Sequence, residues 1–405
     1  MTMYTIWLKF SLLVCISICC SHSRCDASTK SLRSESEESA LLHHAGQDTI
    51  ENVRQSDSTT HVFREFAADL TSRVDLVKKE RVAHDHVHEV VFAVQQKNEA
   101  SLVQLLHEVS DPDSPFYGQH KSRIEIEEIA SNPLSKIFLL NYLQDSGATI
   151  ISESLFGEYI TAQAPVSLWE EMFQTDFYKF HHSSEEEEDV VEIIRAEKYS
   201  VPSVLHEHVT SVFQTIQMRQ SKWGRPVIYR LKQSTNIIQN HLVFGSIEPE
   251  RLNRYYSIDN NTGSSLSSQA VFQSNNQYVS PDDLRSFQKA FKLPQQDVAN
   301  FVGGGRSNYV CMAGPESCSE GNVDMQYIMA ISQGTPTTNW YTDLDDFSGW
   351  LLAVANTAKP PAVISISYGA NEKFVSASEF EAFNLQAVKL GLMGVTILVS
   401  SGGKS

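Results

Sequence analysis

A strand, a helix and a second strand near the end of this 405-residue sequence constrain its fold more than any other feature. Residues 362–367 and 395–399 are continuous apolar runs, as in strands that are buried on both faces. Residues 378–390, between them, have the length and the one-sided apolar pattern of a helix. Two buried strands joined by a helix predict a parallel pair with a crossover connection. The C-terminal part of the chain is therefore expected to be an α/β domain.

Another strand and helix precede this pattern. Residues 268–272 have the composition of a strand. Ser280, Pro281 and Asp283 then supply an N-cap serine, a proline at the first helical position and an acid at the third. This capping box predicts a helix that runs through Phe291.

Length and composition fit a secreted or soluble protein with two folded units. Hydrophobic residues make up 41% of the chain and charged residues 20%, which is ordinary for globular domains. The net charge of −17 argues against nucleic acid or an anionic membrane as a partner, because both repel an acidic protein. Many secreted proteins are acidic simply for solubility, so this charge does not by itself indicate a working pH.

The N-terminus has the features of a signal peptide, which we place at residues 1–27. Lys9 precedes an apolar run at residues 10–20, and this run is shorter than the ~20 residues of a membrane-spanning helix. A secretory route allows a disulfide between Cys311 and Cys318, which lie well inside the mature chain. Free thiols are the alternative.

Four segments follow the signal peptide. Residues 28–80 are polar and poor in aromatic side chains, as in a mobile leader. Residues 81–220 alternate strand and helix patterns and are expected to form an α+β domain. Residues 221–241 have no clear period and are expected to be an exposed linker, followed by the α/β unit at residues 242–405. The elements predicted in the first domain are a strand at 87–94 and helices at 99–109, 124–130 and 135–146.

The distribution of histidine limits the chemistry of the α/β unit. All fourteen histidines lie at or before position 241. Conventional serine and cysteine hydrolases need an imidazole base beside the nucleophile. A catalytic base in the α/β unit must therefore be another group, and a carboxylate is the obvious candidate.

Glu320 and Asp324 are a candidate pair of this kind. They stand four residues apart in a segment that can be helical, which places both side chains on one helix face. Two neighbouring carboxylates do not ionise together easily, so one of them can act as general acid or base at low pH. The spacing alone is weak, because most such pairs lie on solvated helix surfaces.

Several stretches, in order along the chain, carry a family resemblance. The sequence VSDPDSPFYG at 109–118 resembles the signature of the activation prodomain of the sedolisin family, the serine-carboxyl peptidases. FGSIEPERLNRYYSI at 244–258 is similar to the segment that opens their mature enzyme. Residues 320–329 look like the helix that bears the family's glutamate and aspartate, and SISYG at 365–369 continues the match.

The resemblance implies a role for each member of the carboxylate pair. Glu320 would be the general base that takes the proton of a serine nucleophile, and Asp324 would orient and electrostatically support it. The resemblance also implies a subtilisin-like parallel-sheet catalytic domain preceded by an α+β activation prodomain. A calcium ion is the only cofactor that it implies, in the C-terminal part of the complete family domain.

The family motifs are incomplete in this sequence. The family's oxyanion-hole acid lies in a Ser-Gly-Asp motif, where this chain reads Ser401-Gly402-Gly403. The family's nucleophile lies in a Gly-Thr-Ser motif that does not occur here, and its calcium site is expected beyond the end of this chain. These differences predict a truncated catalytic domain and a chain that does not hydrolyse peptides as written.

Two functions are compatible with this pattern. The first is the precursor of an acid-acting peptidase whose complete form cleaves peptides, with tripeptides as possible products, through a Ser-Glu-Asp triad. Its expected partners are peptide or protein substrates and its own prodomain, with no nucleic acid and no membrane after signal removal. The second is a non-catalytic form whose prodomain binds, chaperones or inhibits a full-length peptidase. Either protein would enter the secretory pathway and reach an extracellular or lysosome-like compartment.

The histidines of the first domain are candidates for a pH sensor that loosens the prodomain as imidazoles gain charge. Simple solvation and a zinc site are the alternatives. The set consists of His84, His86 and His88, expected on one face of a strand, and of His181, His182, His206 and His208.

Three further features have competing interpretations. Gly303-Gly304-Gly305 lacks the Lys-Ser/Thr ending of a phosphate loop and is expected to be a flexible loop. Trp340 and Asp343 follow the carboxylate helix and could line a substrate cleft, although a packing role is equally compatible with the sequence.

Overall fold

The computed structural model places two domain-sized groups of elements in one compact unit, residues 53–405. Among the described residues, no helix combines the length and apolarity needed to cross a bilayer. The described residues are 60–68, 70, 73, 75–182, 192–218, 247–258, 263–274, 276–342, 350, 353, 356–357, 359–369 and 372–400.

The first group is built on a four-stranded antiparallel sheet. Its strand order is β4-β5-β3-β9. The strands are β3 (Val87–Val94), β4 (Thr149–Glu153), β5 (Tyr159–Pro165) and β9 (Val209–Phe213). The helices are α1 (Glu99–Ser110), α2 (Arg123–Ala130), α3 (Pro133–Asp145) and α4 (Val166–Phe173). The predicted strand at 87–94 and the three predicted helices are present, with ends shifted by at most two residues.

Two smaller antiparallel sheets complete this group, with strand orders β2-β6-β7 and β1-β8. Two of their strands lie within the range that was predicted to be a leader, and residues 60–80 therefore contribute ordered strands to the first domain. The sequence did not indicate them because β2 is mostly charged and the exposed positions of β1 are Phe63 and Phe66, so neither strand alternates apolar and polar residues. The strands are β1 (His61–Phe66), β2 (Leu76–Arg81), β6 (Tyr178–His182), β7 (Ile193–Arg195) and β8 (Lys198–Pro202).

The first domain has its own aromatic core. Trp169 and Phe173 of α4 are fully buried and stack on each other at 5.7 Å, and both contact Phe92 of β3. The indole N–H of Trp169 donates to the carbonyl of His88 at 2.9 Å, so its polar group is satisfied within the core. Burial of these large side chains is the main source of stability in this domain.

The prediction that His84, His86 and His88 lie on one face of a strand is wrong. His84 and His86 lie in the turn before β3 and are exposed, so the three histidines do not share one face of a strand. Only His88 belongs to β3, where its ring lies against Phe177 at 5.4 Å. His84 and His86 precede the strand because residues 83–86 form a turn, whose carbonyls at 84 and 86 accept from the first two amides of α4.

The second group is an α/β domain with a five-stranded parallel sheet, which confirms the predicted fold class at this level. Its strand order is β11-β12-β10-β13-β14, and the predicted parallel crossover pair is β13 and β14. The strands are β10 (Gln269–Gln273), β11 (Asn300–Val302), β12 (Thr337–Tyr341), β13 (Val363–Ile366) and β14 (Thr396–Val399). The subtilisin-like detail stays a prediction.

Helices cover both faces of this sheet. Helices α6 (Pro281–Ala290) and α8 (Ser319–Ile331) pack on the face that carries Val271, whereas α9 (Ala377–Leu392) packs on the face that carries Phe272. The remaining helices are the short α5 (Pro249–Tyr255) and α7 (Asn308–Ala313). Because β10 is followed by α6 and β13 by α9, the connections that leave these neighbouring strands run to opposite faces.

The predicted capping box at the start of α6 is half present. The hydroxyl of Ser280 accepts from the Asp283 amide at 3.1 Å, as predicted. The Asp283 carboxylate, however, accepts from the Asn322 side chain of α8 at 2.9 Å instead of returning to the N-cap. Tertiary packing thus uses this acid to join α6 to α8.

Candidate active site

Helix α8 carries both candidate carboxylates and starts at a disulfide. Cys318 is its N-cap and is bonded to Cys311, which confirms the predicted pairing. Glu320 lies in the first turn and is 7% exposed. The side-chain oxygen of Gln277 accepts from the Glu320 amide at 3.1 Å, and so satisfies one of the N–H groups that a helix start leaves open.

A glycine between the two acids lets α8 approach a neighbouring loop closely. A Cβ at Gly321 would lie 2.5 Å from the carbonyl oxygen of Tyr278, closer than real Cβ atoms come. Asn322 holds the same loop, because its side-chain oxygen accepts from the Ser280 amide at 2.9 Å. These contacts hold the first turn of α8, and therefore Glu320, against residues 277–280.

Asp324 lies one turn after Glu320 and is held by two neighbours. The amide nitrogen of Gln273 donates to Asp324 Oδ2 at 3.3 Å, and Ser367 forms a second side-chain hydrogen bond. Burial raises the pKa of Asp324 to about 6, and the hydrogen bonds from Ser367 and Gln273, which favour the ionised form, offset only part of that rise. Asp324 can therefore exchange a proton in mildly acidic solution.

Tyr368 determines which way the Gln273 amide faces. Its hydroxyl donates to Gln273 Oε1 at 2.7 Å, and both side chains are buried. Because the amide oxygen is taken by a donor, the NH₂ group of Gln273 is the end that faces Asp324. Gln273 and Tyr368 are thus positioning residues for this carboxyl group.

The site lies at the carboxyl ends of two neighbouring parallel strands. Gln273 is the last residue of β10, and Ser367 directly follows β13. The connections that leave these strands run to opposite faces of the sheet, which opens a crevice between them. Ligands of open α/β sheets bind at such a point. The spacing of Glu320 and Asp324 in the sequence could not indicate that Asp324 lies in this crevice.

Comparison with known proteins finds a partial family match and several relatives. Residues 75–218 match the family model described as Pro-kumamolisin, activation domain. Tripeptidyl-peptidase 1 of Homo sapiens is 27% identical over 334 residues, which cover 77% of this chain. Physarolisin of Physarum polycephalum is 27% identical over 345 residues, which cover 80% of this chain. These matches support the resemblance to the sedolisin family.

The similarity covers most of this chain but only part of each relative. Tripeptidyl-peptidase 1 of Dictyostelium discoideum is 24% identical over 352 residues, or 78% of this chain. The three alignments cover 55%, 56% and 54% of the human, Dictyostelium and Physarum proteins. The chain thus spans little more than half the length of the curated relatives that it matches.

The residues that position the two acids were not among the candidates predicted from the sequence. Gln273, Gln277 and Tyr368 are uncharged and belong to no spacing rule, so no signal singled them out. Gly321 offered a weak signal, because a glycine inside a helix costs about 1 kcal/mol relative to alanine and so indicates a packing or functional reason.

Two side features differ from their predictions. Trp340 is 4% exposed and packs with Phe272 in the core between the sheet and α9, so it does not line a cleft. All three glycines at 303–305 have positive φ, and a Cβ at Gly303 would lie 2.0 Å from the Tyr341 carbonyl oxygen. This loop needs glycine for close packing rather than for flexibility. Asp343 and residues 401–403 lie outside the described residues.

The described part of the chain offers no cluster of metal-binding side chains. Within those ranges, no group of three or more His, Cys, Asp or Glu side chains is arranged to hold an ion. The calcium site that the family resemblance implies is expected beyond residue 405 and stays a prediction. The zinc hypothesis for the histidines gains no support either.

We expect Gln273→Leu to raise the pKa of Asp324 above about 6, by about one pH unit, because the ionised carboxylate loses a hydrogen-bond donor. Carbon-detected NMR titration of the Asp324 carboxyl group measures this directly. Tyr368→Phe should raise the pKa of Asp324 by less, because it removes only the hydroxyl that keeps the Gln273 side-chain amide from turning. An Asp324 pKa that is unchanged in Gln273→Leu would show that Gln273 does not position this carboxyl group.

Proposed function

We propose that this chain is the precursor of an acid-acting serine-type peptidase in which Glu320 is the general base and Asp324 its supporting acid. The observation that carries the proposal is the placement of Asp324, which Gln273 and Ser367 hold in the crevice at the carboxyl ends of β10 and β13. The match to the activation-domain model and the similarity to tripeptidyl-peptidase 1 support the same reaction class.

In the proposed mechanism, Glu320 takes the proton of a serine hydroxyl as that oxygen attacks a peptide carbonyl. Glu320 then gives the proton to the leaving amine, and water hydrolyses the acyl-enzyme in a second cycle. The serine is expected in a Gly-Thr-Ser motif, which these 405 residues do not contain. The triad therefore requires a nucleophile that the printed sequence does not supply in that motif.

Asp324 would support this chemistry by its protonation state. With a pKa of about 6, it keeps its proton below that pH and carries no negative charge. A neutral Asp324 does not oppose the ionisation of Glu320 one helical turn away, and it can donate a hydrogen bond. Above about pH 6 Asp324 would lose this proton and could no longer donate that hydrogen bond. This favours activity in acid.

The substrates and the compartment follow from the same proposal. Peptides are the proposed substrates, with removal of tripeptides suggested by the relatives named tripeptidyl-peptidase 1. A signal peptide at residues 1–27 would direct the protein to an extracellular or lysosome-like compartment. We propose a prodomain over about residues 60–220, a linker at 221–241 and a catalytic domain from residue 242. The acid of the oxyanion hole would come from outside the Ser401-Gly402-Gly403 motif.

A second candidate function is a prodomain that binds another peptidase. The first domain has a core of its own around Trp169 and packs against α9 through an apolar cluster that includes Leu102, Leu106 and Leu392. A prodomain with its own core can pack against the corresponding helix of a full-length relative. In that role the chain would be a chaperone or inhibitor rather than a peptidase.

The transcript beyond the codon for Ser405 separates these functions. If an in-frame Gly-Thr-Ser motif follows, the encoded protein should cleave peptides at about pH 4 and lose at least about 10³-fold of that activity in Glu320→Gln. Glu250→Gln, on the exposed side of α5, is the matched control and should retain activity. A stop codon at that point and no hydrolysis by the 405-residue chain would overturn the peptidase proposal and support the binding function.

A further inference from the structure

The N-terminal strand lies outside the matched activation domain. Residues 60–67, which we call the latch, contain β1 and precede the matched range 75–218. The latch is nevertheless part of the folded first domain, because β1 pairs antiparallel with β8. The latch is thus a folded part of the first domain that the family model does not cover.

A bulge in the latch separates two polar side chains that bind different domains. The register of β1 against β8 shifts between Phe63 and Glu65, so Arg64 is the extra residue. The Arg64 guanidinium donates to the carbonyls of His206 and Val209 at 2.7 and 2.6 Å. Arg64 thus anchors the latch on the first domain.

Glu65 reaches in the other direction and caps helix α9 of the α/β domain. Its Oε1 accepts from the amides of Ala377 at 2.6 Å and Ser378 at 3.3 Å, the first two helical residues. The third amide, of Glu379, is already satisfied by the hydroxyl of Ser376. The carboxylate therefore binds the two N–H groups that the helix's own capping box leaves open, at the positive end of the helix dipole.

The other end of α9 is held by the first domain as well. Lys389 is completely buried, and its ammonium group contacts Glu127 at 3.1 Å and the Glu158 carboxylate more closely. Arg123 joins both of these glutamates, so two cations and two anions share one buried cluster. Helix α9 is thus bound near both ends by carboxylates that belong to the first domain.

We propose that the latch is an additional docking element that holds the prodomain on α9 through Glu65. This proposal rests on the proposed function, because a prodomain that stays bound to the catalytic domain keeps a peptidase precursor closed. Its partner surface is the N-terminus of α9, and the chemistry of recognition is one carboxylate on two open amides. Glu381 of α9 lies near enough to oppose Glu65 electrostatically, which limits the strength of the contact.

The test uses the whole chain with a site-specific protease sequence introduced between residues 219 and 246. After cleavage at a constant neutral pH, the rate at which the two parts separate is measured with one part immobilised. We expect Glu65→Ala to speed separation about tenfold, as the loss of a helix cap and its charge requires. Amide hydrogen exchange at Ala377 and Ser378 should also accelerate about tenfold in the uncut chain, whereas exchange at Glu379 should not.

Two control variants make the test specific. Glu381→Gln removes a repulsion and is expected to slow separation or leave it unchanged, whereas Glu207→Gln, exposed on the same domain, should have no effect. The latch is refuted if Glu65→Ala leaves separation and both amide exchange rates within twofold of the wild type, or if Glu381→Gln speeds separation equally. None of these measurements involves peptide hydrolysis, so failure of the latch and failure of the peptidase proposal are distinguishable.

Discussion

Asp324→Asn is expected to stabilise the folded chain at pH 7 by about 3 kcal/mol and to leave its stability at pH 4 nearly unchanged. Burial raises the pKa of Asp324 from 3.8 to about 6, so the folded state binds the proton more tightly than the unfolded state. The stability that this group supplies is complete below pH 3.8 and is lost as the pH rises through about 6. At about 1.4 kcal/mol per pH unit, the loss at neutral pH amounts to about 3 kcal/mol.

The measurement is urea unfolding at both pH values, read by hydrogen exchange of the amides of α8. Asparagine keeps an oxygen that accepts from Gln273 but carries no charge. It therefore removes the free-energy cost of a buried charge and retains the hydrogen bond from Gln273. Asp297→Asn, whose side chain is 79% exposed, is the matched control and should change little at either pH. An equal gain at pH 7 and pH 4 would contradict the prediction, because a titrating carboxyl group cannot produce it.

His88 is expected to produce the opposite pH dependence in the first domain. Burial, together with the charges of Arg195 and His86, lowers the pKa of His88 from 6.5 to about 4, although its hydrogen bond to the Gln214 carbonyl partly opposes this. The unfolded state therefore binds the proton first as the pH falls. Stability is complete above pH 6.5 and declines through about pH 4, by about 3 kcal/mol in total.

His88→Gln should remove this decline from the first domain, because glutamine can still donate to the Gln214 carbonyl but does not titrate. The readout is the urea midpoint of β3 and β5, followed by hydrogen exchange at pH 7 and at pH 4. His107→Gln, at an exposed position of α1, should keep the wild-type pH dependence. The prediction is wrong if the first domain of His88→Gln loses as much stability in acid as the wild type.

Together these two groups make the domains respond to acid in opposite ways. Between about pH 6.5 and pH 4, the first domain loses the contribution of a neutral His88 while the α/β domain regains the contribution of a protonated Asp324. A precursor with this behaviour weakens its prodomain under the conditions in which its proposed catalytic carboxyl group is neutral. This is consistent with acid activation of the proposed peptidase.

Local patterns in the sequence predicted most of the elements. The apolar runs at 362–367 and 395–399 became the parallel strands β13 and β14, because a strand buried on both faces leaves a continuous apolar signal. The latch was missed for the opposite reason. In β1 no residue is buried, and its exposed positions are Phe63 and Phe66, so its sequence shows no alternation of apolar and polar residues. Pairing with β8, far along the chain, is what makes it a strand.

The candidate site shows the same division. The chemical types of Glu320 and Asp324 and their four-residue spacing were visible in the sequence, and so was the absence of histidine beyond position 241. Neither showed how the acids are held. Gln273 lies 51 residues from Asp324 along the chain, and Tyr368, which orients Gln273, lies 44 residues from Asp324. Gln273 and Tyr368 meet because β10 and β13 are neighbours in the sheet.

By itself, then, the sequence determined the two fold classes, the disulfide partners and the helix that bears both acids, because each follows from residues near one another in the chain. Only the tertiary structure decided the order β11-β12-β10-β13-β14, and with it the crevice in which Asp324 lies. It also decided the raised pKa of Asp324 and the capping of α9 by Glu65, since desolvation and long-range hydrogen bonds depend on what packs around a group.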